Sequence, residues 1–203
     1  MNFFGHAHVA IRESASPAFV IGSMLPDFAS MVGCRIASVD AGALADGVEH
    51  HHHTDALFHA SETFVDFQRR SCARLDAAGV RWGTARAVAH VGVELLLDGE
   101  LTQLGDANDA YLAALEAEAS AALSSVRWRG DDGSQAVRGL LDRLRAHGVP
   151  HDYGDVAVVL DRLTRVLARR TRLAIEPGAA DAVRSELTLL SAEVQSSVEG
   201  LVP

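Results

Sequence analysis

Residues 47–64 read GVEHHHHTDALFHASETF, a run that packs His50, His51, His52, His53 and His59 around Asp55. Four consecutive histidines are the mark of an expression tag or of a solvated helix face. Both readings stay open for the run itself, but its setting argues for more. The stretch is internal, follows Glu49, and continues into the apolar residues of ALFHASETFVDF. On a helix, positions four apart lie ~40° apart and share a face. His51, Asp55 and His59 then form a stripe of imidazole, carboxylate and imidazole on successive turns. Those are the ligands that divalent transition metals take, and an i, i+4 pair can reach one ion. His50 and His53 point elsewhere, and His52 is ambiguous.

Helical periodicity extends from this stretch in both directions. Alanine, leucine, arginine and glutamate dominate, and no segment alternates with period two for long. The spacing predicts helices near 2–13 and 17–32, with Pro17 at the start of the second and Pro26 as a kink inside it. A long helix is expected over 44–78, ended by Gly79, and another over 85–98, capped by Thr84 and ended by Gly99. Asp106 or Asn108 opens DAYLAALEAEASAALSSV, and further helices are expected over 133–147, 152–174 and 178–199. The fold class is all-α, an irregular bundle of about seven helices.

The bulk properties set bounds on this bundle. With 203 residues, 48% of them hydrophobic and 22% charged, the chain reads as one domain over 1–203 with a substantial core. A formal net charge of −9 argues against bulk binding to nucleic acid. Cys34 and Cys72 form neither a metal-type pair nor a disulfide scaffold. The opening MNFFGHAHVAIRE lacks a basic n-region and places histidines where a signal peptide is apolar, and no apolar run approaches the ~18 residues of a membrane span. A cytoplasmic protein without a membrane partner is the expectation.

Three more features carry metal-type chemistry. TARAVAHVGVELLLDG places His90 and Glu94 four apart on an apolar helix, where a buried glutamate is costly unless it is paired or ligates a metal. A hydrogen-bonded core histidine beside a surface glutamate is the plainer reading of that pair, and Asp98 extends the stripe to the helix end. His6 and His8 lie two apart in FFGHAHVA, so at most one of them joins a common site. Asp27 follows Pro26 in an apolar segment, either aimed inward or capping the helix after a break. Together these suit one or two divalent ions in a helical bundle. A different feature closes the chain. Arg162, Arg165, Arg169 and Arg172 fall on one helical stripe opposite Leu160, Leu163 and Leu167, as a wet face or as an anion-binding surface. His147 and His151 read as surface residues in a turn.

In order and spacing, MNFFGHAHVA, GSMLPDF, GVEHHHHTDALFH, GTARAVAHVGVELLLD and LTRVLARRTRL resemble the acyl carrier protein phosphodiesterase family. That family is similar to the HD-type metal phosphohydrolases. The resemblance implies an all-helical, HD-domain-like fold, dependence on a divalent metal (Mn, Fe, Zn or Mg), and removal of the 4′-phosphopantetheine arm from holo acyl carrier protein. By position it carries the family's histidine and first aspartate onto His51 and Asp55, its earlier aspartate onto Asp27, and its N-terminal pair onto His6 and His8. His59 stands where the family has an aspartate, and His90 and Glu94 stand where it has an aspartate-led pair. The set is richer in nitrogen ligands, which favours Zn²⁺ or Fe.

The expected activity is therefore metal-assisted hydrolysis of a phosphoric ester. His6, Asp27, His51, Asp55, His59, His90 and Glu94 are the candidate ligands, with Glu94 and His59 also able to shuttle a proton. Arg165, Arg169 and Arg172 are candidates to meet phosphate or an acidic partner such as acyl carrier protein. Two alternatives remain. One is a zinc phospholipase C- or nuclease-like phosphodiesterase, whose zinc site involves the chain's amino terminus; Met1-Asn2 without a leader to cleave speaks against it. The other is a non-catalytic helical metal-binding module.

Overall fold

Short-range signals fix most of the secondary structure, as the computed structural model, which describes residues 1–116, 121–130 and 132–203, makes plain. Helix makes up 75% of it, and the sheet is one two-stranded antiparallel ladder, so the fold is all-α. Ten helices are described where the sequence suggests about seven. They are α1 (Phe3–Ala10), α2 (Pro17–Val32), α3 (Ala43–Ala60), α4 (Glu62–Ala77), α5 (Trp82–Leu104), α6 (Asn108–Leu115), α7 (Gly133–His147), α8 (Val156–Ala168), α9 (Ala180–Gln195) and α10 (Val198–Leu201). The expected continuation of the α6 segment through 117–120 lies outside the described residues.

The differences from expectation have local causes. The long helix over 44–78 is divided because Ser61 accepts from the Phe64 amide at 3.2 Å and caps a new helix. Thr84 caps nothing; α5 has already begun, and its hydroxyl donates to the Ala174 carbonyl at 3.2 Å. Gly99 does not end α5. A side chain there would lie 2.6 Å from the Tyr153 carbonyl carbon and 2.8 Å from the Gly154 nitrogen, so this glycine serves a close backbone approach. The helix expected over 152–174 shortens to α8, with Asp155 capping it through the Ala157 amide at 2.7 Å. The strands β1 (Ile36–Val39) and β2 (Val126–Trp128) are too short to leave a periodic signature.

Contacts gather the chain, expected as one domain, into two compact units of two stretches each: Met1–Leu57 with Leu104–Pro150, and Phe58–Gln103 with His151–Pro203. In the first unit α2 packs on α1, α6 and α7. Its core is aromatic at the centre, where Phe3, Phe4 and Phe28 meet Tyr111, with Phe4 and Tyr111 ring centroids 5.3 Å apart. α2 and α3 cross where two glycines meet. A side chain on Gly47 would fall 2.9 Å from the Gly22 Cα and 3.0 Å from the Ser23 nitrogen. α2 is continuous through Pro26, whose missing N–H removes only the helical bond to the Gly22 carbonyl.

The second unit packs α9 against α4 and α8. Its core includes Phe58, Phe64, Val93, Leu97, Leu163, Leu187 and Leu190. Glu186 is buried inside this packing, and Arg74 satisfies it through both oxygens, Nε to Oε2 at 2.8 Å and a second nitrogen to Oε1 at 2.7 Å. Arg74→Ala strands that carboxylate. The expected loss is about 3 kcal/mol, the low end for breaking a buried pair because water reaches part of the guanidinium. Urea unfolding measures it, and restoring most of the loss with Glu186→Gln separates buried charge from lost packing.

Candidate functional site

Two groups of imidazole and carboxylate form, one in each unit. In the first, His6 of α1, Asp27 of α2 and His51 of α3 each offer a ligand atom, all within 4.8 Å of one another. The glycine crossing is what brings them together. Gly47 lies one turn before His51, and Gly22 adjoins Ser23, whose carbonyl accepts from His51 Nδ1 at 2.8 Å. With Nδ1 protonated, His51 Nε2 carries a lone pair. Burial, then the neighbouring His6, push the His51 pKa down to about 3, so the ring is neutral at pH 7.

His6 is oriented in the same way. Thr54 donates its hydroxyl proton to the His50 or His51 carbonyl, at 2.9 and 3.2 Å, and can accept from His6 Nδ1 at 3.3 Å. His6 Nε2 then faces Asp55 Oδ1 as a second acceptor 3.5 Å away. Asp55 Oδ1 also accepts from the Met1 ammonium at 2.8 Å. The His6 and His51 rings lie 3.9 Å apart between centroids. Inward lone pairs, a carboxylate and the neutral His51 imidazole are the kind of donor set a divalent cation requires, and the residues fit one.

The second group is tighter. His59 Nε2 is 3.1 Å from His90 Nε2 and 3.1 Å from Glu94 Oε1, and His90 Nε2 is 3.2 Å from the same oxygen. Ligands held ~2.0–2.1 Å from one ion are separated by about 3.0–3.4 Å, so this triangle fits a metal as well. The Gln68 side-chain amide lies 2.9 Å from His90 Nδ1, where its oxygen would accept from Nδ1–H in the tautomer that leaves Nε2 free for an ion, and Phe58 and Phe64 pack edge-on against the His59 and His90 rings. Burial pushes the Glu94 carboxyl pKa up, but the hydrogen bonds from His59 and His90 outweigh it and hold the group well below the usual carboxylate range.

These groupings sort the sequence candidates. The stripe His51–Asp55–His59 is divided: His51 joins His6 and Asp27, Asp55 sits beside His6, and His59 joins His90 and Glu94. Of each ambiguous pair, His6 and His51 enter a group. His8 is buried against Arg12, with Nε2 3.4 Å from the guanidinium, and burial lowers its pKa. His52 is exposed. The arginine stripe is helical only at Arg162 and Arg165. α8 ends at Ala168, Arg165 is paired with Asp161, and Arg169 and Arg172 lie in the turns beyond. The positioning groups Ser23, Thr54 and Gln68 escaped sequence reasoning. A backbone carbonyl has no residue-type signature, although the small residues Gly22 and Gly47 marked where two helices could touch.

No protein-family model, curated protein or solved structure matches this chain. Among the described residues, no helix is long and apolar enough to cross a membrane.

The His51 geometry carries a pH dependence. Its folded pKa lies below the unfolded value near 6.5, so the unfolded chain takes up the proton first. The metal-free protein is expected to keep its full stability above pH 6.5 and to lose it progressively toward pH 3. The loss reaches roughly 2 kcal/mol at pH 5. Thermal melts across that range check the slope, which His51→Gln should flatten.

Proposed function

We propose that the chain is a metal-dependent hydrolase of phosphoric esters, with an HD-like arrangement of its helices. The observation that carries this reading is the orientation of His51, whose Nδ1 is held by the Ser23 carbonyl so that Nε2 turns toward His6 and Asp27. A solvated polar face has no use for a buried, pre-oriented and neutral imidazole. The order of motifs along the chain, which resembles the acyl carrier protein phosphodiesterase family, adds the reaction class. The substrate it suggests is the 4′-phosphopantetheine arm of holo acyl carrier protein.

His6, Asp27, His51 and Asp55 would hold one ion, and His59, His90 and Glu94 a second. When bound, a divalent ion supplies Lewis acidity toward a phosphoryl oxygen and acidifies water. The nitrogen-rich sets favour Zn²⁺ or Fe. Without that second ion, Glu94 Oε1 and His59 Nε2, 3.1 Å apart, can instead hold a proton between them and return it to a leaving oxygen. Arg169 and Arg172 are exposed in the turns after α8, where they would attract an acidic partner.

The test is elemental analysis of untagged protein followed by a phosphodiesterase screen that includes holo acyl carrier protein, where loss of the arm appears as a mass decrease in the carrier. Bound transition metal together with hydrolysis of any phosphoester supports the reading. Tight metal uptake without hydrolysis of any of them would make the chain a binding module and end the enzymatic proposal.

A further inference from the structure

Beside the first metal group lies a groove of about 780 Å³, a size that suits a small organic ligand. It is walled by α2, β1 and α3 with one residue of the β2 end, Arg129. Its position is tied to the metal group at two points. Pro26, in one wall, immediately precedes Asp27, and the ring of His52, in another, lies 5.3 Å from the His51 ring. The surfaces between are aliphatic: Ala29, Ile36, Val39, Ala45 and Val48. No Phe, Tyr or Trp is among the described residues that line it.

The sequence reading gave no role to Arg35 or Arg129. Antiparallel pairing sets them side by side, the Arg129 amide donating to the Arg35 carbonyl at 2.8 Å, and both side chains are exposed at the groove. Among the described residues no carboxylate pairs with either guanidinium. In a chain of net charge −9, two adjacent arginines that pair with no carboxylate among the described residues mark a local preference for anions. Glu49 on the α3 wall disfavours an anion at that side and leaves the arginine end as the place for one.

We infer that this groove binds the organic part of the substrate, and that the substrate is a small aliphatic phosphoester with a second anionic group remote from the phosphate, gripped by Arg35 and Arg129. The inference rests on the hydrolase reading for what happens at the phosphate, and on the groove alone for what is recognised. Aliphatic walls suit a flexible carbon chain. A nucleotide would want an aromatic face on which to stack its base, and the lining offers none. A bidentate arginine contact suits carboxylate or phosphate equally, so the end group is named by its charge.

The experiment uses the full-length metal-loaded protein and a series of α,ω-phosphonoalkanoates of three to eight carbons, which carry a phosphonate at one end and a carboxylate at the other. Alkylphosphonates of matching length serve as the single-anion controls, and adenosine monophosphate as the nucleotide control. Calorimetry should find at least one phosphonoalkanoate bound about tenfold or more tighter than its alkylphosphonate, the worth of one charge-assisted contact. Arg35→Gln/Arg129→Gln should erase that difference while leaving bound metal and the affinity for the alkylphosphonates unchanged. Equal binding of both series, an unaltered preference in the double variant, or a preference for adenosine monophosphate overturns the inference. So does hydrolysis of holo acyl carrier protein that the double variant and saturating phosphonoalkanoate leave untouched. Failure of the hydrolase reading looks different: the preference for two anions persists, and no phosphoester is cleaved.

Discussion

Glu94→Gln is expected to abolish metal binding at the His59/His90/Glu94 triangle while leaving the helices in place. Glutamine keeps the shape and the oxygen but removes the charge that both imidazoles address, at 3.1 and 3.2 Å. Loss of outer partners alone lowers metal affinity 10–100-fold, so removal of a direct anionic ligand should cost about 100-fold or more. If Glu94 and His59 also move the proton, phosphoester turnover falls by at least as much at saturating metal. Metal stoichiometry read beside circular dichroism checks this, since a drop in bound metal with an unchanged spectrum locates the loss at the ligand. Full metal content and full turnover in the variant would remove Glu94 from the site.

The second large effect comes from Gly47→Ala, a change of one methyl group that touches no ligand. Its new carbon would press on the Gly22 Cα, the Ser23 nitrogen and the Phe19 carbonyl, all backbone and unable to rotate away. α2 and α3 must move apart, and the His51 Nδ1 bond to the Ser23 carbonyl goes with them. Overpacking of a tight core costs about 1–3 kcal/mol, and a buried imidazole left unsatisfied adds roughly 1–3 more. Metal at His6, Asp27 and His51 should be lost while that at His59, His90 and Glu94 is retained. Gly178→Ala, where a methyl group meets open space, is the control and should melt near the parent temperature.

Helix phase was the most legible layer of this protein. The i, i+4 spacing of His90 and Glu94 places both on one face of α5, and they meet as the sequence suggests. The same rule stretched too far at His51, Asp55 and His59. Each four-residue step drifts by ~40°, so the ends of that stripe differ by ~80° and serve different partners. The choice between His6 and His8 needed the tertiary fold, because alternate residues on a fully buried helix carry the same apolar flanks. Ser61 is of a residue type that caps helices, but the hydrophobic pattern runs on across it, and the expected helix over 44–78 passes through the break. The ladder of β1 and β2 joins residues some ninety apart in sequence, a pairing that local periodicity cannot contain.

The order in which the first unit becomes available on the ribosome follows from its discontinuity. His6, Asp27 and His51 are all synthesised within the first fifty-one residues, yet Tyr111, against which Phe3 and Phe4 pack, emerges some sixty residues later. The nascent chain thus carries its imidazoles before it owns the aromatic wedge that fixes α1. Loop closure over such a separation is slow beside local helix formation. Metal captured early would meet a mobile chain whose histidines can pair in many ways, among them the adjacent His50, His52 and His53. Productive loading belongs after the wedge has closed, so excess zinc present during refolding should lower the yield of native protein, whereas the same zinc added afterwards should not.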